Sequence, residues 1–360
     1  VPEAWKRVTL RQMLTHTSGI PDYEEAGGYG VYETTPTPQQ IFDIVRARPL
    51  DFEPGAQWSY SNTNYVLLSL IIERVSGMHY GDYMRRHVFA PLHMTHTFVG
   101  GYAPRGAVLA QGCKPGETAA AARVPVRPIM EASTFGAGGI STTAQDWAHW
   151  YDALNRGRLL SPRSMQAMFT AVTLPDGTNT GYGMGMEVDD FRGEPRRGHN
   201  GQTQGFVADY ASFPNRRLGF LILSNAYGAE TSVLMRALQV RAMPDLSYDR
   251  LPIAADPDPA RGALIRRAIR QMILAEEPPF ALLSERLRSF PTDPQGADQR
   301  ARLHDVAADM ARFEYLRSEP PPNGGFERYL YRVTRASGDT SYFTVSWSNG
   351  QLVGLRWYDE

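Results

Sequence analysis

Lysine is almost missing from this 360-residue chain: of its 37 basic residues only Lys6 and Lys114 are lysine, and the rest are arginine. Glu3 stands three positions before Lys6 and Gln111 three before Lys114, so the chain contains no S-x-x-K pair. Cysteine is scarcer still. Cys113, alone, excludes an internal disulfide framework and leaves the compartment open. There is no apolar run long enough to span a membrane and no visible signal peptide. Neither sign of charge dominates, and a formal net charge of −1 gives no reason to expect nucleic acid or an anionic membrane as a partner. The G-x-S-x-G elbow, the G-x-x-x-x-G-K-[ST] loop and the H-E-x-x-H zinc helix are also absent, which removes three common routes to hydrolysis or phosphate chemistry. His93 and His96 lie three apart in a loop with no third clustered ligand, so they read as ordinary loop histidines and no metal site is expected.

What is present is globular: 42% hydrophobic and 21% charged, in a length that suits two domains or one large domain with an appendage. The best-anchored stretch is Phe52-Glu53-Pro54-Gly55-Ala56-Gln57-Trp58-Ser59-Tyr60-Ser61-Asn62 and the helix that follows it. Pro54-Gly55 is a turn signal, and residues 64–75 are apolar on almost every side, which predicts a buried central helix ended by Gly77. Tyr60, Ser61 and Asn62 are thereby pinned at its mouth, where a catalytic group would be held rigidly. Further helices are expected over residues 8–14, 38–48, 80–89 and 230–240, and after residues 138–143, with Ser141 or Thr142 as the N-cap. Residues 22–38 and 100–127 read as loops. Strands are expected over residues 182–188, 205–213 and 218–223, the last two joined as a hairpin through Pro214-Asn215-Arg216-Arg217.

Residues 243–259, rich in proline and aspartate, read as a linker. Beyond it, two helical stripes (Leu264 to Ile273, and Leu303, Val306, Met310, Phe313) precede three alternating segments at 326–334, 341–347 and 352–358, with Asn349-Gly350 as a hairpin turn. The expected organisation is therefore α+β: residues 1–242 an antiparallel sheet flanked by helices, 243–259 a linker, and 260–360 a small α+β domain of helices then a three-stranded antiparallel meander.

Singly, Tyr60-Ser61-Asn62 reads as a core tyrosine before a helix cap, and His199-Asn200-Gly201 as an ordinary turn. Their order with other strings is more informative. Leu14-Thr15-His16-Thr17-Ser18-Gly19-Ile20-Pro21, Phe52-x-Pro54-Gly55, Tyr60-Ser61-Asn62, Pro91-Leu92-x-Met94, Gly138-Gly139-Ile140-Ser141-Thr142, Tyr182-Gly183-Met184-Gly185 and His199-x-Gly201 follow one another along the chain. Together they resemble the serine β-lactamase and penicillin-binding hydrolase family on its class C side, which includes D-alanyl-D-alanine carboxypeptidases, D-aminopeptidases and esterases. The resemblance covers most of residues 8–225 and none of the last hundred.

It implies an acyl-enzyme mechanism on a small-molecule or peptide substrate: an ester, a D-amino-acid peptide or a β-lactam. No cofactor is implied. Tyr60 would shuttle the proton between the nucleophile and the leaving group, a role that needs neighbouring positive charge to lower its pKa from near 10. Asn62 would orient the substrate carbonyl or amide. His199 would occupy the lysine position of the third motif on an edge strand, beside Asn200 and Gly201, and the Gln202 N–H would form half of the oxyanion hole. An imidazole carries less positive charge near neutral pH than a lysine, which favours an ester or peptide over a β-lactam.

The departure is the nucleophile. The family's S-x-x-K precedes the Leu-Thr-His-Thr-Ser-Gly string, so the expectation is an N-terminally incomplete β-lactamase/transpeptidase-like fold whose serine lies upstream of Val1. The chain by itself is then catalytically silent. A non-catalytic pseudoenzyme that binds peptidoglycan-type peptides is the alternative. The resemblance favours a periplasmic or secreted location.

Overall fold

The structure, a computed structural model, describes residues 2–27, 37–100, 106–116, 123–126, 135–276, 278, 280–293, 297–319 and 326–359. Parts of the two expected loops, at 28–36, 101–105 and 117–122, lie outside the described residues. The fold is α+β, divided into two compact units, Val1–Leu238 and Gln239–Glu360. Among the described residues no helix is long and apolar enough to cross a membrane.

In the first unit helix α1 (Leu10–Leu14) starts at a capping box, Thr9 accepting from the Gln12 N–H while the Gln12 side chain accepts from Thr9. Helix α2 (Pro38–Val45) repeats the device with Thr37 and Gln40. Helix α3 (Asn62–Ser76) is the central one, and Gly77 in the left-handed conformation ends it as its sequence predicts. Its burial corrects the sequence reading. The buried face holds Thr63, Asn64, Val66, Leu67 and Ser69, whereas Val75 is 82% exposed. The first turns pack into the cluster of Trp5, Met13, Ile20, Tyr23, Ile41 and Val45, and Leu70 and Ile72 pack into a second cluster around Tyr80, Phe89 and Phe135, so the far end is left bare.

A four-stranded antiparallel sheet follows: β1 (Glu187–Phe191), β2 (Glu194–Thr203), β3 (Phe206–Phe213) and β4 (Leu218–Ser224), in that order. The expected strand at 182–188 starts only at Glu187, because Gly185 at φ +77° turns the preceding residues. Strand β2 is interior only in part. Its residues 194–198 pair with β1, but residues 199–203 pair with β3 alone. Helix α4 (Ala144–Asn155) lies on one face of the sheet, with Trp147 edge-on to Tyr210 and the Tyr151 ring seated where Gly219 has no Cβ. Its N-cap is Thr143, which accepts from the Asp146 N–H, rather than Ser141 or Thr142.

The second unit holds helices α5 (Pro259–Leu274) and α6 (Ala297–Ala308) and a sheet of β5 (Arg312–Glu319), β6 (Glu327–Thr334), β7 (Thr340–Ser348) and β8 (Gln351–Tyr358). It has four strands where the sequence suggested three. Helix α6 stops at Ala308, so Phe313 belongs to β5 and stacks on Tyr331 of the adjacent strand. Asn349 and Gly350, both at positive φ, make the expected two-residue turn between Ser348 and Gln351. Within residues 243–259, Tyr248 is buried against Tyr342, and Arg332 donates to the Leu251 carbonyl at 2.9 Å.

Candidate active site

Three backbone hydrogen bonds tie residues 16–19 to the loop that leads into α3: Asp51 N–H to Gly19 O at 2.8 Å, Gly55 N–H to Thr17 O at 2.7 Å, and Ser59 N–H to His16 O at 3.0 Å. Only glycine fits at 19, where φ is +74° and a Cβ would stand 2.1 Å from the Phe52 carbonyl oxygen. Ser18 Oγ donates to Asn64 Oδ1 at 2.7 Å and accepts from the Ile20 N–H at 3.0 Å. The H-T-S-G string is therefore the template on which the start of α3, and with it Tyr60 and Asn62, is set.

From this support Tyr60 stands out, 41% exposed, with its ring against buried His16 at a centroid distance of 4.2 Å. Asn62 is turned towards carboxylates. Its Nδ2 donates to Asp22 Oδ2 at 3.2 Å and to Glu24 Oε1 at 3.1 Å, and its backbone N–H donates to Asp22 Oδ2 at 2.7 Å.

Strand β2 supplies the facing wall. The His199 ring lies 6.0 Å from that of Tyr60. Its Nδ1–H donates to Asn200 O at 2.5 Å, which leaves Nε2 to accept from the Tyr182 hydroxyl at 3.0 Å; the tautomer is assigned from these partners, since a carbonyl oxygen can only accept. Tyr182 is held by the turn after it, where the Gly185 N–H donates to Leu14 O at 3.1 Å, an oxygen that also accepts from the Tyr65 hydroxyl at 2.7 Å. Alternation along β2 places Gly201 on the His199 face and turns the Asn200 and Gln202 side chains to the opposite face. A Cβ built on Gly201 meets nothing within 4 Å, so the space in front of the strand is open there. Tyr60 and His199 thus come together, with Gly201 on the His199 face of the strand; Asn62 is bound to Asp22 and Glu24, and Asn200 and Gln202 can reach that face only through their backbone.

The electrostatics are negative. Burial, then Asp22, Glu24 and Glu187, push the Tyr60 hydroxyl up to about 12. That is opposite to the lowering that a phenolate role requires, and the charged groups acting on Tyr60 are all carboxylates. Burial also raises Tyr65 and Tyr182. His16 is brought down to about 3 by burial and by His199. Asp22 is raised by burial, against the hydrogen bonds it accepts from the Glu24 and Asn62 N–H groups. Among the described residues no group of three or more His, Cys, Asp or Glu is placed to hold a metal. His16, Tyr65, Tyr182 and Asp22 are the members of this cluster that sequence reasoning did not place in a site; the H-T-S-G and Y-G-M-G strings were the signal for two of them.

A family model described as Beta-lactamase matches residues 1–242. The chain is 29% identical over 238 residues to a penicillin-binding protein of Bacillus subtilis, covering 61% of this chain and 52% of that protein. It is 30% identical over 234 residues to an unguisins hydrolase of Aspergillus campestris, covering 61% of this chain and 42% of the relative. Among solved structures, a D-stereospecific amidohydrolase from Streptomyces superposes with a TM-score of 0.56 at 28% identity, over 65% of this chain and 72% of that one. The chain spans about half the length of the curated relatives it matches.

Proposed function

The chain belongs to the β-lactamase family, and from that premise we propose that residues 1–242 form most of the catalytic domain of a serine hydrolase working through an acyl-enzyme. The observation that carries this reading is the meeting of Tyr60 and His199, remote in sequence, beside a strand that is open at Gly201. Covalent catalysis of this kind needs an activated serine beside a base. No S-x-x-K exists in these residues, so the nucleophile in this reading is contributed from outside them. Tyr60 then starts as the protonated phenol, and the cation that would lower its pKa arrives with the nucleophile. In that assembly it passes a proton between the serine hydroxyl and the leaving group. Asn62 orients the substrate carbonyl, the Gln202 N–H completes the oxyanion hole with the serine's own N–H, and Asn200 acts through the carbonyl that fixes the His199 ring.

The substrate class follows from charge. Both ring nitrogens of His199 are taken by neutral partners, and the carboxylates acting on Tyr60 disfavour an anionic group beside it. An ester or a D-amino-acid amide or peptide suits such a cleft better than a carboxylate-bearing β-lactam. The related protein named above as a D-stereospecific amidohydrolase supports the amide part of that reading.

The test is fluorophosphonate labelling, read by intact mass, of this chain and of the same chain extended by the residues encoded ahead of Val1. The expected result is a covalent adduct on the extended protein only, with a short-chain ester turned over faster than a penicillin. An extended protein that lacks S-x-x-K, takes no label and yet binds peptidoglycan-type peptides reversibly would overturn the enzyme reading in favour of a pseudoenzyme.

A further inference from the structure

We infer that His16 is the positioning residue for Tyr60, an inference that rests on the reading of Tyr60 as the proton-transfer group. The backbone on both sides of Tyr60 is held by this one residue. The His16 carbonyl accepts from the Ser59 N–H at 3.0 Å, and its Nδ1 accepts from the Ser61 N–H at 3.1 Å. Between these two bonds the His16 ring lies against the Tyr60 ring, 4.2 Å between centroids, and it also touches Tyr65 and Tyr182 at 5.2 and 5.0 Å. The tyrosine is thus fixed at its main chain before and after, and at its ring.

The geometry of His16 is itself demanding. Its φ is +57°, a conformation uncommon for a residue with a Cβ. It is fully buried, and its Nε2 has no hydrogen-bond partner among the described residues. A residue that only filled space would do better as an apolar one, since a buried ring nitrogen without a partner carries a desolvation cost. What the imidazole adds is an acceptor at Nδ1, directed at one particular N–H, on a flat ring that a tyrosine can lie against. Ser18 and Asn64 complete the arrangement: Ser18 Oγ donates to Asn64 Oδ1, and Asn64 Nδ2 stands 3.5 Å from His16 Nδ1.

The experiment uses the 360-residue chain. In the unsubstituted protein labelled with 15N, a scalar coupling should be seen across the hydrogen bond between the Ser61 amide nitrogen and His16 Nδ1, with Nδ1 at the shift of an unprotonated ring nitrogen. Absence of that coupling in the folded protein would overturn the inference. Two variants separate the clamp from mere packing. His16→Asn keeps an acceptor at the Nδ1 position in a residue that tolerates positive φ, and should leave Ser61 amide exchange nearly as slow as before. His16→Phe keeps a ring but no acceptor, and should speed that exchange about tenfold, the usual scale for one lost hydrogen bond. The 13Cζ signal of Tyr60, identified with Tyr60→Phe, should shift in the Phe variant and stay nearer its place in the Asn variant. Folded Asn and Phe variants with equal Ser61 exchange would reduce His16 to a space-filling role. None of these readings depends on activity. Their failure would leave the hydrolase reading standing, and an active Tyr60→Phe enzyme would leave the clamp standing.

Discussion

Acidification should unfold the first unit by charging His16. In the folded protein this imidazole is held down to about 3, against 6.5 for an ordinary histidine, because its burial disfavours the charged form. Between those two values the unfolded chain binds a proton that the folded chain refuses. The sign follows: the contribution is flat above about pH 6.5 and stability is lost as pH falls towards 3. One proton corresponds to about 1.36 kcal/mol per pH unit, so a window of about 3.5 units amounts to roughly 5 kcal/mol. That approaches the entire stability of a marginal domain, about 5–15 kcal/mol. Asp22, Asp51 and Asp209 act the other way. Burial raises all three, so they take up protons more readily in the folded state and offset part of the loss at low pH. A comparison with His16→Asn, which cannot titrate, removes their contribution. The assay is urea unfolding from pH 7 to pH 4, followed by 19F NMR of 5-fluorotryptophan at Trp58, whose ring lies 6.3 Å from that of His16. The unsubstituted chain should lose stability more steeply than the variant by about 1.36 kcal/mol per pH unit. Parallel curves for the two proteins would refute the reasoning, whatever their absolute stabilities.

In a protein carrying the nucleophile, Tyr60→Phe should lower acylation by about 10²–10⁴ while leaving the melting temperature nearly unchanged, since only a hydroxyl is lost; unaltered turnover would make Tyr60 a supporting aromatic. Gly201→Val should fold as well as the parent, because its Cβ enters empty space, yet cut ester hydrolysis by about tenfold or more through obstruction of the strand; equal kcat/KM would place the substrate elsewhere. His199→Lys should raise penicillin acylation relative to ester hydrolysis by supplying a full charge, and a constant ratio of the two rates would remove His199 from the substrate's surroundings. Gly19→Ala should destabilise the first unit by about 2 kcal/mol or more, from positive φ and the collision with the Phe52 carbonyl, as read by the urea midpoint.

Much of this architecture was legible along the chain. Ile41, Ile44 and Val45 at helical spacing announce the helix expected over 38–48, which runs Pro38–Val45; α3 ends at Gly77 for a local steric reason, and Asn349-Gly350 dictates its turn because both residues tolerate positive φ. The order of short strings was enough to identify the family and to name Tyr60, Asn62 and His199 as the residues to examine. These features depend on neighbours in sequence, and local propensity reports them well. The exposure of Val75 and the fourth strand of the second unit depend on what lies across space, so periodicity misjudged them.

The site divides along the same line. Sequence singled out the side chains proposed to carry chemistry, and it shows no S-x-x-K among these residues. Only the tertiary structure decided how those groups are disposed. It turned Asn62 onto Asp22 and Glu24, tied His199 to Tyr182, and placed Tyr60 where burial, and after it nearby carboxylates, raise its pKa instead of lowering it. It also converted His16 from a residue in a turn motif into the group that holds Tyr60 on three sides. A pKa and a hydrogen-bond direction are set by distances of a few ångströms between segments far apart in the chain, and no local pattern of residue types contains them.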